Sequence, residues 1–301
     1  MGGDRSENGE PAWAITCIGA GSSPLIVHVP HAATWIPDGA RRDLLLDDAG
    51  LDVELARMTD RFTDRLSFDG LARAEAPAAV FANRASRLLI DPERFIGPDE
   101  PMEVVGMGAV YLSTSDRRRL RVEDPGRDER LVTRWFHPYA AALTALVDQT
   151  LSSHGRAVIV DLHSFPSSPL PYEFDHGAHR PGICIGTDQF HTPTHLIEAV
   201  TEAFAGSGWD IATDTPFAGT YVPLSHFGRT PEVTSVMVEV RRDLYQVEPG
   251  GDPHDGYDLV VAHLARLFRS LTQAGGQSLS RQESVARPKI AGGALPLGGA
   301  E

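Results

Sequence analysis

The stretch Pro24-Leu25-Ile26-Val27-His28-Val29-Pro30-His31 is an apolar run that ends in a histidine beside a proline. Its apolar core predicts a buried strand, and Pro30 predicts the end of that strand because proline lacks the N–H group that a central strand needs. A second apolar run ends the same way, in Ala157-Val158-Ile159-Val160-Asp161-Leu162-His163-Ser164. The carboxyl ends of parallel strands share one edge of a sheet, so His31 and His163 predict a metal site at that edge.

Strands and helices alternate along the chain in the way that is typical of a parallel sheet. The predicted strands are Leu25–Val29, Ala79–Phe81, Arg87–Ile90, Ala157–Val160, Gly182–Gly186 and Ser235–Val240. The predicted helices are Asp47–Ser67, Leu131–Ser153, Thr194–Ala205 and Gly256–Gln273. This order predicts an α/β fold with a mostly parallel or mixed central sheet and helices on both of its faces.

The length and charge of the chain limit the classes of protein it can belong to. With 301 residues and 42% hydrophobic content, it can form one large domain or two small ones, and we expect a single domain at residues 11–274. Residues 1–10 and 275–301 are expected to be flexible arms. A net charge of −14 argues against nucleic acid or an anionic membrane as the partner. An oligomer is possible but not indicated.

The sequence has few features that indicate membrane targeting, disulfide bonds or a thiolate metal site. No apolar run is long enough to span a bilayer, and the polar first residues do not resemble a signal peptide, so we expect a cytoplasmic protein. The two cysteines, Cys17 and Cys184, indicate neither a disulfide framework nor a thiolate zinc site. Any metal must therefore be held by histidine and carboxylate side chains.

A catalytic zinc ion usually has three protein ligands, so a carboxylate should complete the pair of histidines. Asp60 is one candidate because it lies inside the helix predicted at Asp47–Ser67, where aspartate is mildly unfavourable. The alternative is that Asp60 belongs to a solvated helix face. His28 lies inside its strand on the opposite face from Val27 and Val29, which favours a supporting or structural role.

Glu239 interrupts the apolar strand Val236-Met237-Val238-Glu239-Val240. A carboxylate buried there is costly without a partner, so it is either a general base with a shifted pKa or the partner of Arg241 or Arg242.

Three further arginines, Arg84, Arg87 and Arg94, are close together in sequence around one predicted strand. Guanidinium groups bind carboxylates through paired hydrogen bonds, which favours a small anionic substrate. Surface ion pairs are the alternative explanation.

The ordered set of motifs resembles the N-formylglutamate amidohydrolase family. The matching residues are Val29-Pro30-His31 with Ile36-Pro37, Thr59-Asp60, Ser86-Arg87-Leu88-Leu89-Ile90-Asp91, Asp161-Leu162-His163-Ser164, and Glu239-Val240-Arg241 with Leu244-Tyr245. They span most of the expected domain in the family's order.

This resemblance implies a fold similar to that of zinc carboxypeptidases and hydrolysis of N-formyl-L-glutamate to formate and glutamate, a step of histidine degradation. It implies one zinc ion per chain, held by His31, Asp60 and His163, with Glu239 as the base. The implied substrate-binding residues are Arg84, Arg87, Arg94 and Arg241.

The chain departs from related patterns at two places. Carboxypeptidases use a glutamate three positions after the first histidine, where this chain has Thr34. The family often has a histidine after a Pro-Tyr pair, whereas Pro138-Tyr139 is followed here by Ala140. Two alternatives therefore stay open: a related metal-dependent deacylase or carboxypeptidase-like amidase acting on another N-acyl amino acid or small peptide, and a catalytically silent carboxylate-binding protein. A serine hydrolase is disfavoured because the sequence has no Gly-x-Ser-x-Gly motif.

Overall fold

A seven-stranded sheet forms the centre of the computed structural model, which describes residues 12–19, 23–97, 99–177 and 179–282. The strands are β1 (Trp13–Ile18), β2 (Leu25–Val29), β3 (Ala78–Asn83), β4 (Ala157–Phe165), β5 (Ile183–Gly186), β6 (Ile211–Thr213) and β7 (Val233–Arg241). Their order across the sheet is β1-β3-β2-β4-β7-β5-β6. The pairs β1–β3 and β5–β7 are antiparallel and the other four pairs are parallel, so the predicted mostly parallel, mixed sheet is confirmed.

Helices cover both faces of this sheet. The α-helices are α1 (Asp38–Arg41), α2 (Asp48–Met58), α3 (Thr63–Ala74), α4 (Pro125–Leu131), α5 (His137–His154), α6 (Thr194–Phe204) and α7 (Gly256–Gln282). A π-helical turn, Val132–Phe136, joins α4 to α5, and short 3₁₀ helices lie at Pro101–Val105 and Arg242–Leu244. Helices α3, α6 and α7 pack on one face of the sheet, and α5 packs on the other.

The two faces of the central strands carry different side chains because the side chains of a strand alternate in direction. Val158, Val160 and Leu162 of β4 join the core formed with α3, α6 and α7. Ile159 joins the core beneath α5. By the same alternation Asp161 and His163 lie together on the α5 face of the sheet, whereas Ser164 lies on the other face.

The predicted helix Asp47–Ser67 is wrong, because the chain forms two helices, α2 and α3, separated at residues 59–62. Thr59 is extended, with φ −86° and ψ 133°, and Phe62 is left-handed, with φ 71°. The backbone N–H of Asp60 donates to the carbonyl oxygen of His31 at 3.0 Å. The break therefore moves Asp60 out of a helix and ties it to the end of β2.

The predicted strand Arg87–Ile90 is also wrong, since this segment is a turn that follows β3. The hydroxyl oxygen of Ser86 accepts a hydrogen bond from the backbone N–H of Leu88 at 3.1 Å. The buried guanidinium group of Arg121 donates to the carbonyl oxygens of Leu88 and Leu89. These backbone groups are thus satisfied by side chains instead of a neighbouring strand.

Other boundaries also differ from the prediction. Strands β1 and β6 were not predicted, and β4 continues to Phe165, so that His163 lies within the strand and not after it. The helical segment predicted at Leu131–Ser153 begins at Pro125, where the side chain of Asp124 caps it. Helix α7 continues to Gln282, into the predicted tail. The predicted arm at residues 1–10 and residues 283–301 of the tail lie outside the described residues.

Candidate active site

Side chains from three distant parts of the chain meet above the carboxyl ends of β2 and β4. The Nδ1 atom of His163 lies 3.1 Å from the Oδ2 atom of Asp60 and 3.3 Å from the Nδ1 atom of His31. The Nδ1 atom of His31 lies 3.8 Å from the same Asp60 oxygen. All three side chains are buried. We call these residues the triad; the fold brings together the three ligands implied by the family resemblance.

Each member of the triad is held by a second residue. The Nε2 atom of His31 pairs with the Oδ1 atom of Asp91 at 2.8 Å. The Nε2 atom of His163 pairs with the Oδ1 atom of Asp161 at 3.1 Å.

Asp60 is oriented in the same manner. Its Oδ1 atom accepts a hydrogen bond from Arg242 at 2.9 Å, which leaves the Oδ2 atom directed at the two histidines. Histidines that bind metal are commonly oriented in this way by an outer carboxylate.

The donor set of the triad fits a divalent metal ion such as zinc. If each histidine donates its Nε2 hydrogen to its carboxylate, both Nδ1 atoms keep a lone pair, and these two nitrogens and the Asp60 oxygen lie within 3.8 Å of one another. Two imidazole nitrogens and one carboxylate oxygen are a common ligand set for catalytic zinc.

The negative charges around the triad also favour binding of a cation between its three side chains. Burial lowers the pKa of His163, but the charges of Glu93 and Asp161 outweigh it, so the pKa is raised well above the ordinary value. Burial would raise the pKa of Asp60, but the contact with His163 and the charge of Arg242 outweigh it, so that pKa is lowered. Burial and the charge of Arg87 lower the pKa of His31, which favours its neutral, ligand-competent form.

His28 supports the triad from within β2. Its Nδ1 atom lies 2.8 Å from the Oδ1 atom of Asp161, and its Nε2 atom lies 2.6 Å from the hydroxyl group of Tyr139. The backbone N–H of Tyr221 donates to the other Asp161 oxygen at 2.9 Å. The contacts of His28 therefore give it the supporting position that its strand parity predicted.

Glu239 occupies the neighbouring strand directly opposite His163 in the parallel register of β4 and β7. Burial raises the pKa of its carboxyl group to about 8. Its Oε2 atom is buried and has no hydrogen-bond partner among the described residues. A buried carboxyl group with an unpartnered oxygen, beside the triad, has the properties of a general base.

A cavity of about 540 Å³ opens above the triad and Glu239. Arg57, Arg87, Arg94, Arg242 and Tyr172 line its polar part. Aromatic and aliphatic side chains from α5 and from residues 217–227 line another part. Residues 165–172 contribute Phe165, Pro166, Leu170 and Tyr172 to the lining.

The structure divides the predicted substrate-binding arginines into two pairs. Arg87 and Arg94 line the cavity. Arg87 donates to the Oδ2 atom of Asp91 at 2.8 Å. The Nε atom of Arg94 is buried without a hydrogen bond to the described residues and lies 3.5 Å from the same Asp91 oxygen, as an ion pair. Arg84 is exposed, and Arg241 pairs with Asp243 at 2.7 Å; neither lines the cavity.

Sequence reasoning overlooked Arg57, Glu93 and Arg242 as site residues. Strand parity places Arg241, not Arg242, on the same face as Glu239. However, β7 ends at Arg241, and the 3₁₀ helix that follows turns the guanidinium group of Arg242 towards Asp60. The only signal in the sequence is that Arg242 is adjacent to the Glu239-Val240-Arg241 motif.

The comparisons with known proteins agree with this description. A family model for N-formylglutamate amidohydrolase matches residues 23–246. The crystal structure of N-formylglutamate amidohydrolase from Ralstonia eutropha JMP134 is similar, with a TM-score of 0.75 and 20% sequence identity, over 89% of this chain and 100% of that chain. A gene product from Agrobacterium tumefaciens has a TM-score of 0.60 and 18% identity over 92% and 98% of the two chains. No curated protein matches the sequence significantly.

The fold and the site define a mixed α/β protein with a buried, hydrolase-like cluster of histidines and carboxylates at the carboxyl ends of its central strands. Because the family model covers well over half of the chain, the chain belongs to the N-formylglutamate amidohydrolase family, as its motifs predicted. Membership in this family supports hydrolysis of a linear amide. Among the described helices, none has the length and apolar character needed to cross a membrane.

Proposed function

We propose that this protein is a metal-dependent hydrolase that cleaves the amide bond of an N-acyl amino acid, with N-formyl-L-glutamate as the family's substrate. One observation carries the proposal: the ligand atoms of His31, Asp60 and His163 converge beside the unpartnered carboxyl oxygen of Glu239. Hydrolysis of an unactivated amide needs an activated water and a group that exchanges protons, and this arrangement can supply both.

The triad would hold one zinc ion per chain. When bound, a zinc ion supplies Lewis acidity, which activates a water molecule and polarises an acyl carbonyl group. Asp91, Asp161 and Arg242 would keep the three ligands in the required orientation, since each is already bonded to its own ligand.

Glu239 would move the proton. Its carboxylate accepts a proton from the attacking water, and its carboxylic acid then donates that proton to the nitrogen of the leaving amine. Burial favours the protonated form of this group, as the raised pKa shows, so the return of the proton to the amine is supported by the surroundings of Glu239.

The arginines of the cavity would bind the carboxylates of the substrate. Arg94 has a buried N–H group that makes no hydrogen bond to the described residues and lies 3.5 Å from Asp91, and Arg87 is fixed by Asp91 and by the hydroxyl group of Tyr111. A charged hydrogen bond to a carboxylate satisfies a buried guanidinium group better than apolar contacts do. These two arginines favour an anionic amino acid over a neutral amide.

The experiment that tests the proposal is an assay of formate release from N-formyl-L-glutamate by the zinc-loaded protein and by Glu239→Gln. We expect formate release by the wild type and a reduction of kcat of roughly 10²- to 10⁴-fold in the variant, because glutamine cannot exchange protons. The control is the zinc content, which should be the same in both proteins. Near-normal turnover by the zinc-bound variant would contradict the role of Glu239.

A further inference from the structure

The segment Asp91-Pro92-Glu93-Arg94 supplies two carboxylates on the Nε2 side of the triad histidines. Asp91 pairs with the Nε2 atom of His31 at 2.8 Å. The backbone N–H group of Glu93 donates to the Oδ1 atom of the same aspartate at 3.1 Å, and the ring of Pro92 restricts the backbone between the two residues. The carboxylate that orients His31 therefore also fixes the position of Glu93.

The side chain of Glu93 faces three histidines. Its Oε2 atom lies 3.3 Å from the Nε2 atom of His163 and 3.6 Å from the Nε2 atom of His31. Its Oε1 atom lies 3.5 Å from the Nδ1 atom of His28. Among the described residues, Glu93 is the one carboxylate that contacts the Nε2 atoms of both triad histidines.

The charge of Glu93 has no arginine beside it to compensate it. Its Oε1 atom is buried and accepts no hydrogen bond from the described residues. Asp91 has an ion pair with Arg87 at 2.8 Å, whereas no arginine in the described part of the chain forms an ion pair with Glu93. A carboxylate that is buried without a compensating cation costs free energy. A cation bound by the triad would lower that cost.

The Nε2 atom of each triad histidine already has a nearer carboxylate. Asp161 lies 3.1 Å from that of His163, and Asp91 lies 2.8 Å from that of His31. Glu93 therefore acts on both rings mainly through its charge. A negative charge beside Nε2 makes the Nδ1 atom of the same ring a stronger metal ligand, and it also attracts a divalent cation directly. Because the site is buried, salt screens these effects only weakly.

We infer that Glu93 is a positioning residue whose carboxylate charge strengthens metal binding by His31 and His163 together, without binding the metal ion itself. The inference rests on the proposed function because it requires a metal ion on the triad. Glu93 contacts the Nε2 atoms of the two rings, whereas their Nδ1 atoms face Asp60. Its place is therefore outside the ligand set.

Zinc affinity, measured by competition with a chelator, tests the inference. Glu93→Gln keeps the size of the side chain and removes its charge, so we expect the affinity to fall roughly 10- to 100-fold. Glu93→Asp keeps the charge, so its loss of affinity should be several-fold smaller. The control is Glu54→Gln, which changes a buried glutamate that bonds to Ser115 outside the cavity lining and should leave the affinity unchanged.

At saturating zinc, each of these variants should still hold about one zinc ion per chain. An unchanged affinity in Glu93→Gln would overturn the inference. Equal losses in Glu93→Gln and Glu93→Asp would also overturn it, because the length of the side chain and not its charge would then matter. A Glu93→Gln protein that is folded by circular dichroism but holds no zinc at saturation would make Glu93 a ligand, which contradicts the inference. A wild type without zinc would overturn the proposed function itself.

A spectroscopic measurement shows whether both rings are affected. In the zinc-loaded protein, with its histidines labelled with the heavy nitrogen isotope, Glu93→Gln should shift the Nε2 resonances of both His31 and His163, because both atoms lose a neighbouring charge. Glu54→Gln should shift neither resonance. A shift confined to one of the two rings would contradict a role that both histidines share.

Discussion

The Nδ1 atoms of His31 and His163 lie 3.3 Å apart although the two residues are 132 positions apart in the sequence. Each ring has a carboxylate on its other nitrogen, Asp91 for His31 and Asp161 for His163. If the Nε2 atom of each ring donates its hydrogen to its carboxylate, the Nδ1 atoms of both rings carry lone pairs beside Asp60. A cation bound between them would stabilise this arrangement. The carboxylates that orient the rings thus decide which cation-binding atoms the site presents.

The first prediction concerns Asp161, which orients His163. In the variant Asp161→Asn, the new side-chain amide can turn its N–H₂ group towards Nε2, which would move the imidazole hydrogen to Nδ1 and remove a ligand lone pair. We expect zinc affinity to fall roughly 10- to 100-fold, measured by competition with a chelator. The control is Asp148→Asn, because Asp148 pairs with His226 at 2.9 Å outside the cavity lining. Equal losses in both variants would contradict a specific role for Asp161.

The second prediction compares two arginines that the sequence did not distinguish. Arg94 lines the cavity, and its buried N–H group makes no hydrogen bond to the described residues although it lies 3.5 Å from Asp91, whereas Arg84 is exposed outside the cavity. We expect Arg94→Ala to raise KM for an N-acyl-L-glutamate roughly 10- to 100-fold, since a charged hydrogen bond is lost. Arg84→Ala should leave KM unchanged. Steady-state kinetics check both, and an unchanged KM in Arg94→Ala would rule out its role in carboxylate binding.

The third prediction concerns Glu54, which accepts hydrogen bonds from the backbone and hydroxyl groups of Ser115. Burial raises the pKa of this glutamate despite those bonds. A carboxyl group with a raised pKa in the folded state contributes stability below its unfolded-state pKa, and the contribution is lost as the pH rises through the folded-state pKa. Glu54→Gln should therefore gain free energy of unfolding relative to wild type between about pH 4.5 and about pH 7.5.

Urea unfolding at the two pH values measures this gain. Glu198→Gln, at an exposed position of α6, provides the control and should show no such change with pH. A Glu54→Gln variant that loses relative stability as the pH rises would contradict the prediction.

The fourth prediction concerns the two cysteines. Cys17 is exposed, whereas Cys184 is buried opposite Glu239 in the pairing of β5 with β7. Burial raises the pKa of the Cys184 thiol to about 12. Because the thiolate is the reactive form, iodoacetamide should label Cys17 alone in the native protein and both cysteines after unfolding. Mass spectrometry counts the labels, and loss of activity on labelling Cys17 would point to a role for a thiol that the site does not support.

Much of the fold could be predicted from the sequence because buried strands and amphipathic helices have strong periodic signals. The apolar runs at Leu25–Val29 and Ala157–Val160 located the two central strands, which end beside the site. Edge strand β1 was missed because its side chains are only partly buried and give no continuous apolar run. The break between α2 and α3 was missed because it contains neither glycine nor proline and is stabilised by a bond from Asp60 to distant His31.

The residues of the candidate site also differ in how clearly the sequence identifies them. His31, His163 and Glu239 stand out because each is a polar residue in or beside an apolar strand. Nothing local distinguishes Arg94 from Arg84, since their difference arises from which one faces the cavity. Arg242 depends on the 3₁₀ helix that follows β7, a feature that strand parity does not predict.

Binding of a catalytic metal ion by the triad is tested by the metal content of the protein. Wild type, His163→Ala and the control His195→Ala, at an exposed position of α6, would be loaded with zinc, dialysed and measured by elemental analysis. Circular dichroism would show that each is folded. We expect about one zinc ion per chain in wild type and in the control, and nearly none in His163→Ala. A wild type without zinc after loading, or a His163→Ala variant that keeps it, would contradict metal binding by the triad.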